Sequence, residues 1–184
     1  MSLASDITDY REAEMRELHE LQRFFKSLSF ATAIEYAASG VTPHRRIHPH
    51  QRRIGVKRLR QSAALLKNFT SFIRKARSFG DLFMIAETVK SQVKGLGDLW
   101  SYDTSLRMAF NRGKTFYPQA VFMHGTVGNG VKKIFSKIPM SGRTLPMKIF
   151  PKEIRQLRPF EVENFLSVWT FQVQSLHHRK EKRI

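Results

Sequence analysis

Hydrophobic residues recur every three or four positions along most of the chain, a spacing that predicts a mainly helical protein. The pattern begins after Asp9, and Glu12 three positions later is typical of the first turn of a helix. It continues to Gly40 without an obvious break, so one long N-terminal helix is predicted over residues 1–40. The apolar positions of this helix are Met15, Leu18, Leu21, Phe25 and Leu28.

The segment 41–54 interrupts the helical pattern because it contains two prolines, four arginines and no apolar periodicity. It is predicted to be an extended basic connector. A second helix is predicted over residues 55–77. Ser78 and Asp81 then form a capping pair, which predicts the start of a third helix.

The last part of the chain has shorter patterns. A fourth helix is predicted from Asp98 to about residue 111, and a short basic helix over 127–137. Short β pieces fit near 120–124 and 145–150. A final helix is predicted to begin at Arg158-Pro159, because proline is favoured at the first helical position. The prediction is a single, mainly α domain with a long helix over 1–40, a basic connector over 41–54, a helical core over 55–176 and a basic tail over 177–184.

Composition narrows the class of protein. The chain has 184 residues, 41% of them hydrophobic, which is enough apolar material for one core. It has no cysteine, which excludes a disulfide scaffold, an iron–sulfur cluster and a cysteine nucleophile. No apolar run reaches the roughly 18 residues of a membrane helix. We therefore expect a soluble intracellular protein, cytoplasmic or nucleoid-associated, with no membrane partner and no cofactor.

Charge points to a polyanionic partner. The chain has 32 Lys and Arg against 15 Asp and Glu, a formal net charge of +17. Twenty of these bases lie in two stretches without any acid, residues 36–80 and 104–152. The alternative interpretation is a basic surface that only maintains solubility. The residues predicted to contact phosphates are Arg45, Arg46, Arg52, Arg53, Lys57, Arg58, Arg60, Arg107, Arg112, Lys114, Lys132 and Lys133.

A glycine-rich turn joins the third and fourth helices. Gly95, Leu96 and Gly97 follow Val93-Lys94, and two helices joined in this way resemble the helix-hairpin-helix motif of DNA repair and recombination proteins. Glycines bring backbone N–H groups close to one surface, where the start of the next helix favours a phosphate. Such a turn is predicted to bind the DNA backbone. The alternative is a helix that ends at a glycine and continues into an ordinary short turn.

The order of segments shows a wider resemblance. The blocks HQRRI, GLGDLWSYDTSLRMAF and VFMHGTVGNGVKKI, followed by LRPFEVENFLSVW, are similar to a family of uncharacterised bacterial and mobile-element proteins. The resemblance spans roughly residues 48–170 and implies a fold unit, but no activity comes with it. The chain departs from the family pattern at Ser105 and Met108, and in the glycines after His124.

Candidate catalytic residues are few. Asp103, Tyr102 and His124 are the weak candidates for an enzyme of the glycosylase or nuclease kind. The alternative is that Asp103 forms an exposed helical pair with Arg107, four positions later. No metal site is predicted, because the three histidines His44, His48 and His50 lie among four arginines that would repel a cation.

These observations favour a nucleic-acid-binding protein without enzymatic activity, with duplex DNA preferred over RNA and phosphate contacts of low sequence specificity. Two other functions stay open. One is an enzyme that acts on nucleic acid, and the other is an RNA-bound structural or assembly protein. In either case the long N-terminal helix is a candidate surface for a protein partner.

Overall fold

The computed structural model describes residues 2–135 and 142–169, and the chain divides into two compact units. We call Glu17–Pro118 the helical unit. The terminal unit combines Met1–Arg16 with Gln119–Ile184. Segments from the two ends of the chain share a core of their own in the terminal unit, and the single domain expected from length and composition stays a prediction.

The mainly α fold predicted from the sequence is confirmed, with one two-stranded sheet in the described residues. Residues 159–169 form a final helix, α10, which begins at the predicted proline. The other elements are α1 (Leu3–Ala13), α2 (Met15–Ser27), α3 (Phe30–Ser39), α4 (Pro49–Arg52), α5 (Val56–Asn68), α6 (Thr70–Lys75), α7 (Phe79–Gln92), α8 (Asp98–Arg112), β1 (Ala120–Phe122), α9 (Gly125–Ile134) and β2 (Thr144–Pro146).

The long helix predicted over residues 1–40 is wrong, because three helices occupy this part of the chain. Helix α1 ends at Ala13, and α3 starts anew after Ser29. The Ser29 hydroxyl accepts a hydrogen bond of 3.2 Å from the backbone N–H of Thr32. A serine in this position satisfies an N-terminal amide of the following helix, so it favours a new helix start over continuation of the old helix.

Helix α3 lies at the centre of the helical unit, where it packs against α5 and α8. Its inward face consists of short side chains, including Ala33, Ala37 and Ala38, so neighbouring helices approach closely. The indole N–H of Trp100 on α8 donates to the carbonyl of Ala38 at 3.0 Å. Gly40 ends α3 with a φ of 68°, a left-handed conformation that favours glycine.

Helices α7 and α8 pack against each other, and α7 begins at the predicted capping pair. The Ser78 hydroxyl accepts from the N–H of Asp81 at 3.1 Å, and the Asp81 carboxylate accepts from the backbone N–H groups of Arg77 and Ser78. The hydrogen bond from Arg77 is the main cause that lowers the pKa of Asp81. The helix predicted over 55–77 is divided at Phe69 into α5 and α6.

In the terminal unit, β1 pairs antiparallel with β2, with Val121 opposite Leu145. Tyr10 of α1 lies in the same core, its hydroxyl 3.0 Å from Oδ1 of Asn164. Helices α9 and α10 approach each other closely at Gly130, where an added Cβ would lie 2.7 Å from the carbonyl oxygen of Leu166.

Two sequence predictions for this unit change, and a third cannot be compared with the structure. The extended piece predicted over 145–150 is shorter, since residues 147–149 form a 3-10 turn. The short basic helix begins at Gly125 rather than at residue 127. The basic tail predicted over 177–184 lies outside the described residues, as do residues 136 and 137.

Candidate nucleic-acid interface

Seven of the predicted phosphate-binding residues are exposed and belong to one stretch of chain, residues 44–60, which we call the basic segment. It consists of a turn closed by a bridge between Val41 and Ile47, the short helix α4 and the first turns of α5. Within the described residues, none of the seven forms an ion pair with a carboxylate. The seven are Arg45, Arg46, Arg52, Arg53, Lys57, Arg58 and Arg60.

Several of these guanidinium groups are held in place by neutral acceptors. Arg52 donates through Nε to the carbonyl of Ile47 at 3.2 Å. Arg58 donates through Nη1 to the carbonyl of Ile54 at 3.1 Å. A guanidinium has five N–H donors, so one such bond leaves most of them available to phosphate oxygens. The segment is therefore ordered without being neutralised.

Arg45 occupies the tip of the turn and has an unusual backbone conformation. Its φ of 57° lies in the left-handed region, which non-glycine residues rarely adopt. The guanidinium lies 5.6 Å from the ring centroid of Tyr36 and 6.0 Å from that of Phe24. It also donates to the Tyr36 hydroxyl at 2.6 Å. Cation–π contacts of this kind stabilise the tip on α2 and α3.

The glycine turn after α7 has one feature that favours an anion and one that opposes it. Gly95 has a φ of 97°, and the side chain of Arg58 covers it, with Nε 3.2 Å from the position of a Cβ. A cation thus lies directly at the turn. In contrast, Asp98 places an exposed carboxylate in the first turn of α8, 2.6 Å from Nζ of Lys90.

The other two residues of the turn, Leu96 and Gly97, differ in their surroundings. Leu96 is only partly buried, although the motif predicts that it fills the core. Gly97 has open space where a Cβ would stand. The helix-hairpin-helix resemblance therefore stays a prediction.

Arg107 was predicted at a phosphate-binding surface, but the structure places it in the core, where it is 2% exposed. Its Nη2 lies 3.4 Å from Oδ2 of Asp103, and Nη1 donates to the carbonyl of Ala37 at 3.3 Å. Burial lowers the pKa of Arg107, and Asp103 opposes this effect. The predicted pairing of Arg107 with Asp103 is present, but the arginine is buried and the carboxylate is partly buried, so the pair is not an exposed one.

Arg112 also turns towards the protein. Its guanidinium donates to the carbonyls of Ile73, Arg74 and Ala76, at 2.7, 3.0 and 3.2 Å. The same group lies 4.3 Å from the ring centroid of Phe116. Because these carbonyls end helix α6, Arg112 caps a helix C-terminus. The predicted residues that remain exposed in this second acid-free stretch are Lys114, Lys132 and Lys133.

The three catalytic candidates do not form a common site in either unit. Tyr102 is 1% exposed and packs its ring 5.8 Å from that of Phe79, so it is not an accessible nucleophile. His124 belongs to the terminal unit, where Nε2 lies 2.5 Å from Oε1 of Glu163. Sequence reasoning missed Glu163, because nothing in the local pattern links it to a histidine 39 positions earlier.

Comparisons with known proteins give no relative: no protein-family model, no curated protein and no solved structure matches the chain. In the described ranges, no group of three His, Asp or Glu side chains is placed to hold a metal ion. None of the helices described is long and apolar enough to span a bilayer.

Proposed function

We propose that this protein binds nucleic acid, with duplex DNA as the preferred partner, through phosphate contacts made by the basic segment. The observation that carries the proposal is the set of seven exposed cations that have no carboxylate partner in the described residues. A surface whose charge only maintains solubility contains charges of both signs close together. Lys67 and Glu35 are an example, with Nζ 2.6 Å from Oε2. The basic segment lacks such pairing, which leaves its charge for an external anion.

Phosphate is the anion that this chemistry fits best. Six of the seven residues are arginines, and the planar guanidinium matches phosphate oxygens in a bidentate geometry. Each phosphate that is neutralised releases counterions, so the logarithm of the binding constant falls by about 0.9 per contact for each unit of log salt. With about 4 to 8 contacts, binding is expected to weaken steeply with salt and to show little sequence preference.

Two other functions have less support. Single-strand binders stack bases on exposed aromatic rings, commonly on a sheet, and the sheet described here has two short strands. An enzyme needs accessible reacting groups, whereas Tyr102 is buried and Asp103 is engaged with Arg107. We therefore propose phosphate-directed binding without chemistry.

The test is fluorescence anisotropy with labelled duplex DNA, single strands and structured RNA, each measured over a salt series. A variant with Arg53→Gln, Lys57→Gln and Arg60→Gln removes three cations of the basic segment. The matched control is Arg16→Gln, Arg23→Gln and Lys26→Gln, which removes three exposed cations on α2.

The first variant is expected to lower the salt slope by about three units, and the control to leave it almost unchanged. Equal slopes for both variants, or no binding by the parent protein at low salt, would contradict the proposal. Tighter binding to structured RNA than to duplex DNA would show that structured RNA is the preferred partner.

A further inference from the structure

One residue connects the basic segment to the interior of the helical unit. Gln51 is 2% exposed and is the sole buried residue between positions 41 and 58. It lies on the short helix α4, directly before Arg52 and Arg53. Its Nε2 donates to Oδ2 of Asp103 on α8 at 3.3 Å.

The Asp103 carboxylate, which accepts the hydrogen bond from Gln51, also accepts one from a buried residue of the helical unit. Oδ2 of Asp103 also accepts from Arg107 at 3.4 Å, and Arg107 in turn donates to the carbonyl of Ala37 on α3. A chain of hydrogen bonds therefore runs from the core helix α3, through α8, to the basic segment. We call Gln51, Asp103 and Arg107 the polar anchor.

Close packing around Gly40 shows how tightly Gln51 is seated. A Cβ on Gly40 would lie 1.9 Å from Oε1 of Gln51, a distance that no real side chain tolerates. The backbone supports the same arrangement, because the N–H of His48 donates to the carbonyl of Gly40 at 2.8 Å. Glycine at this position thus makes room for the Gln51 side chain.

The hydrogen bonds of the polar anchor do not satisfy all of its buried polar atoms. Nε of Arg107 and Oε1 of Gln51 are buried and have no hydrogen-bond partner among the described residues. Buried polar atoms without partners cost free energy, and apolar side chains of similar size often pack at least as well. A polar arrangement that is costly and specific favours a role in geometry over a role in stability.

We propose that the polar anchor, together with Gly40, positions the basic segment so that its cations are preorganised for phosphate. The inference rests on the proposed function and names the residues that set the geometry of that interface. Gln51, Asp103 and Arg107 are positioning residues, since they act through the exposed cations. Loosening the anchor reduces the fraction of molecules with a competent surface, and the apparent Kd rises by the inverse of that fraction.

The first test displaces Gln51 without changing any charge. Gly40→Ala introduces the clashing Cβ, and its matched control is Gly113→Ala, which also has a positive φ, 105°, but open space around the Cβ. Both variants carry backbone strain, so both are expected to melt at a somewhat lower temperature. Only Gly40→Ala is expected to weaken duplex binding, by about tenfold if a tenth of the molecules keep the anchored geometry.

The second test separates positioning from simple electrostatics. Asp103→Asn removes a negative charge near the basic segment, so electrostatics alone predicts equal or tighter binding of DNA. The polar anchor predicts weaker binding, because Arg107 and Gln51 lose their shared carboxylate acceptor. The double variant Gln51→Glu with Asp103→Asn exchanges the amide and the carboxylate, and it is expected to recover most of the affinity lost in Asp103→Asn.

Amide hydrogen exchange provides a readout that does not depend on DNA. In Gly40→Ala, the backbone N–H groups of His48 and Arg52 are expected to exchange faster, while those in α7 remain protected. Failure of the parent protein to bind any nucleic acid would reject the proposed function, and exchange would still decide on the anchor. Identical exchange and identical affinity in Gly40→Ala and Gly113→Ala would overturn the inference, as would tighter binding by Asp103→Asn.

Discussion

The two acid-free stretches look alike in sequence and differ in the structure. In residues 36–80, the cations of the basic segment point outward and lack carboxylate partners in the described part of the chain. In residues 104–152, the guanidinium groups of the first two cations, Arg107 and Arg112, contact carboxylate and carbonyl oxygens of the protein. Arg107 pairs with the partly buried carboxylate of Asp103, and Arg112 caps the C-terminal end of α6.

The difference follows from the elements that carry the arginines. Arg52 ends a short helix that buries only Gln51, and Arg53 directly follows that helix, so both side chains are exposed. Arg107 lies in α8, where ten of fifteen residues are buried, and a long side chain there has to find its partners inside. In this chain a run of bases forms an exposed positive surface only where the element that carries it is peripheral.

The largest expected effect comes from removing the most buried of these arginines. Arg107→Met leaves Asp103 without its cation and removes one of the two side-chain donors to the carbonyl of Ala37, so it is expected to lower the free energy of unfolding by about 3 kcal/mol. Arg53→Met, at an exposed position, is expected to change it by less than about 0.5 kcal/mol. Urea unfolding of both variants measures the difference, and equal losses would remove the contrast between the two stretches.

A smaller effect is expected at the helix cap. Arg112→Met removes hydrogen bonds to three carbonyls and the contact with Phe116, and is expected to cost about 2 kcal/mol. Lys114→Met, two positions later and exposed, serves as the control. If DNA affinity fell in Arg112→Met without any loss of stability, Arg112 would belong to the interface after all.

The pH dependence of stability tests the environment of His48, a residue of the basic segment that interacts with Arg107 and Asp103. Burial lowers the pKa of His48 from 6.5 to about 4, with Arg107 adding to the shift and Asp103 opposing it. The unfolded chain therefore binds a proton below pH 6.5 that the folded chain does not bind, so stability falls as the pH falls.

Between pH 7 and 5 this histidine is expected to account for a loss of about 2 kcal/mol. Thermal melts of the parent and of His48→Gln over this range measure its share. Parallel curves for the two proteins would show that His48 titrates normally.

The smallest expected change in stability is at the glycine turn. Gly97→Ala has room for its Cβ and is expected to change the free energy of unfolding by less than about 0.5 kcal/mol. Gly95→Ala has a strained φ and displaces Arg58, so it is expected to lower the free energy of unfolding by about 1 kcal/mol. If the turn binds phosphate, Gly97→Ala blocks close approach of the backbone and weakens DNA binding in a fully stable protein. Unchanged binding would restrict the interface to the basic segment.

Local signals explain what the sequence predicted well. The start of α7 depends on Ser78 and Asp81, which are three positions apart, and the start of α10 depends on a single proline. The break before α3 was missed because apolar spacing continues through it, although Ser29 is itself a capping residue.

The fate of Arg107 and the role of Gln51 depend on contacts between residues far apart in the chain. Periodicity predicts helix α8 but does not show that Arg107 is buried in it, since ten of its fifteen residues are buried and it has no clear polar face. Gln51 lies in a run of basic and polar residues, where nothing local distinguishes it from its exposed neighbours. Its burial depends on Gly40 and on Asp103, 52 positions later.

The two tryptophans of the chain are divided between the two units, which gives each unit an optical probe of its own. Trp100 is 1% exposed and hydrogen-bonded to α3, while Trp169 is only partly buried and stacks on Phe165 at 5.6 Å. A buried indole emits at shorter wavelengths than one that contacts water. Trp169→Phe therefore leaves an emission spectrum that reports the helical unit alone, and Trp100→Phe leaves one that reports the terminal unit.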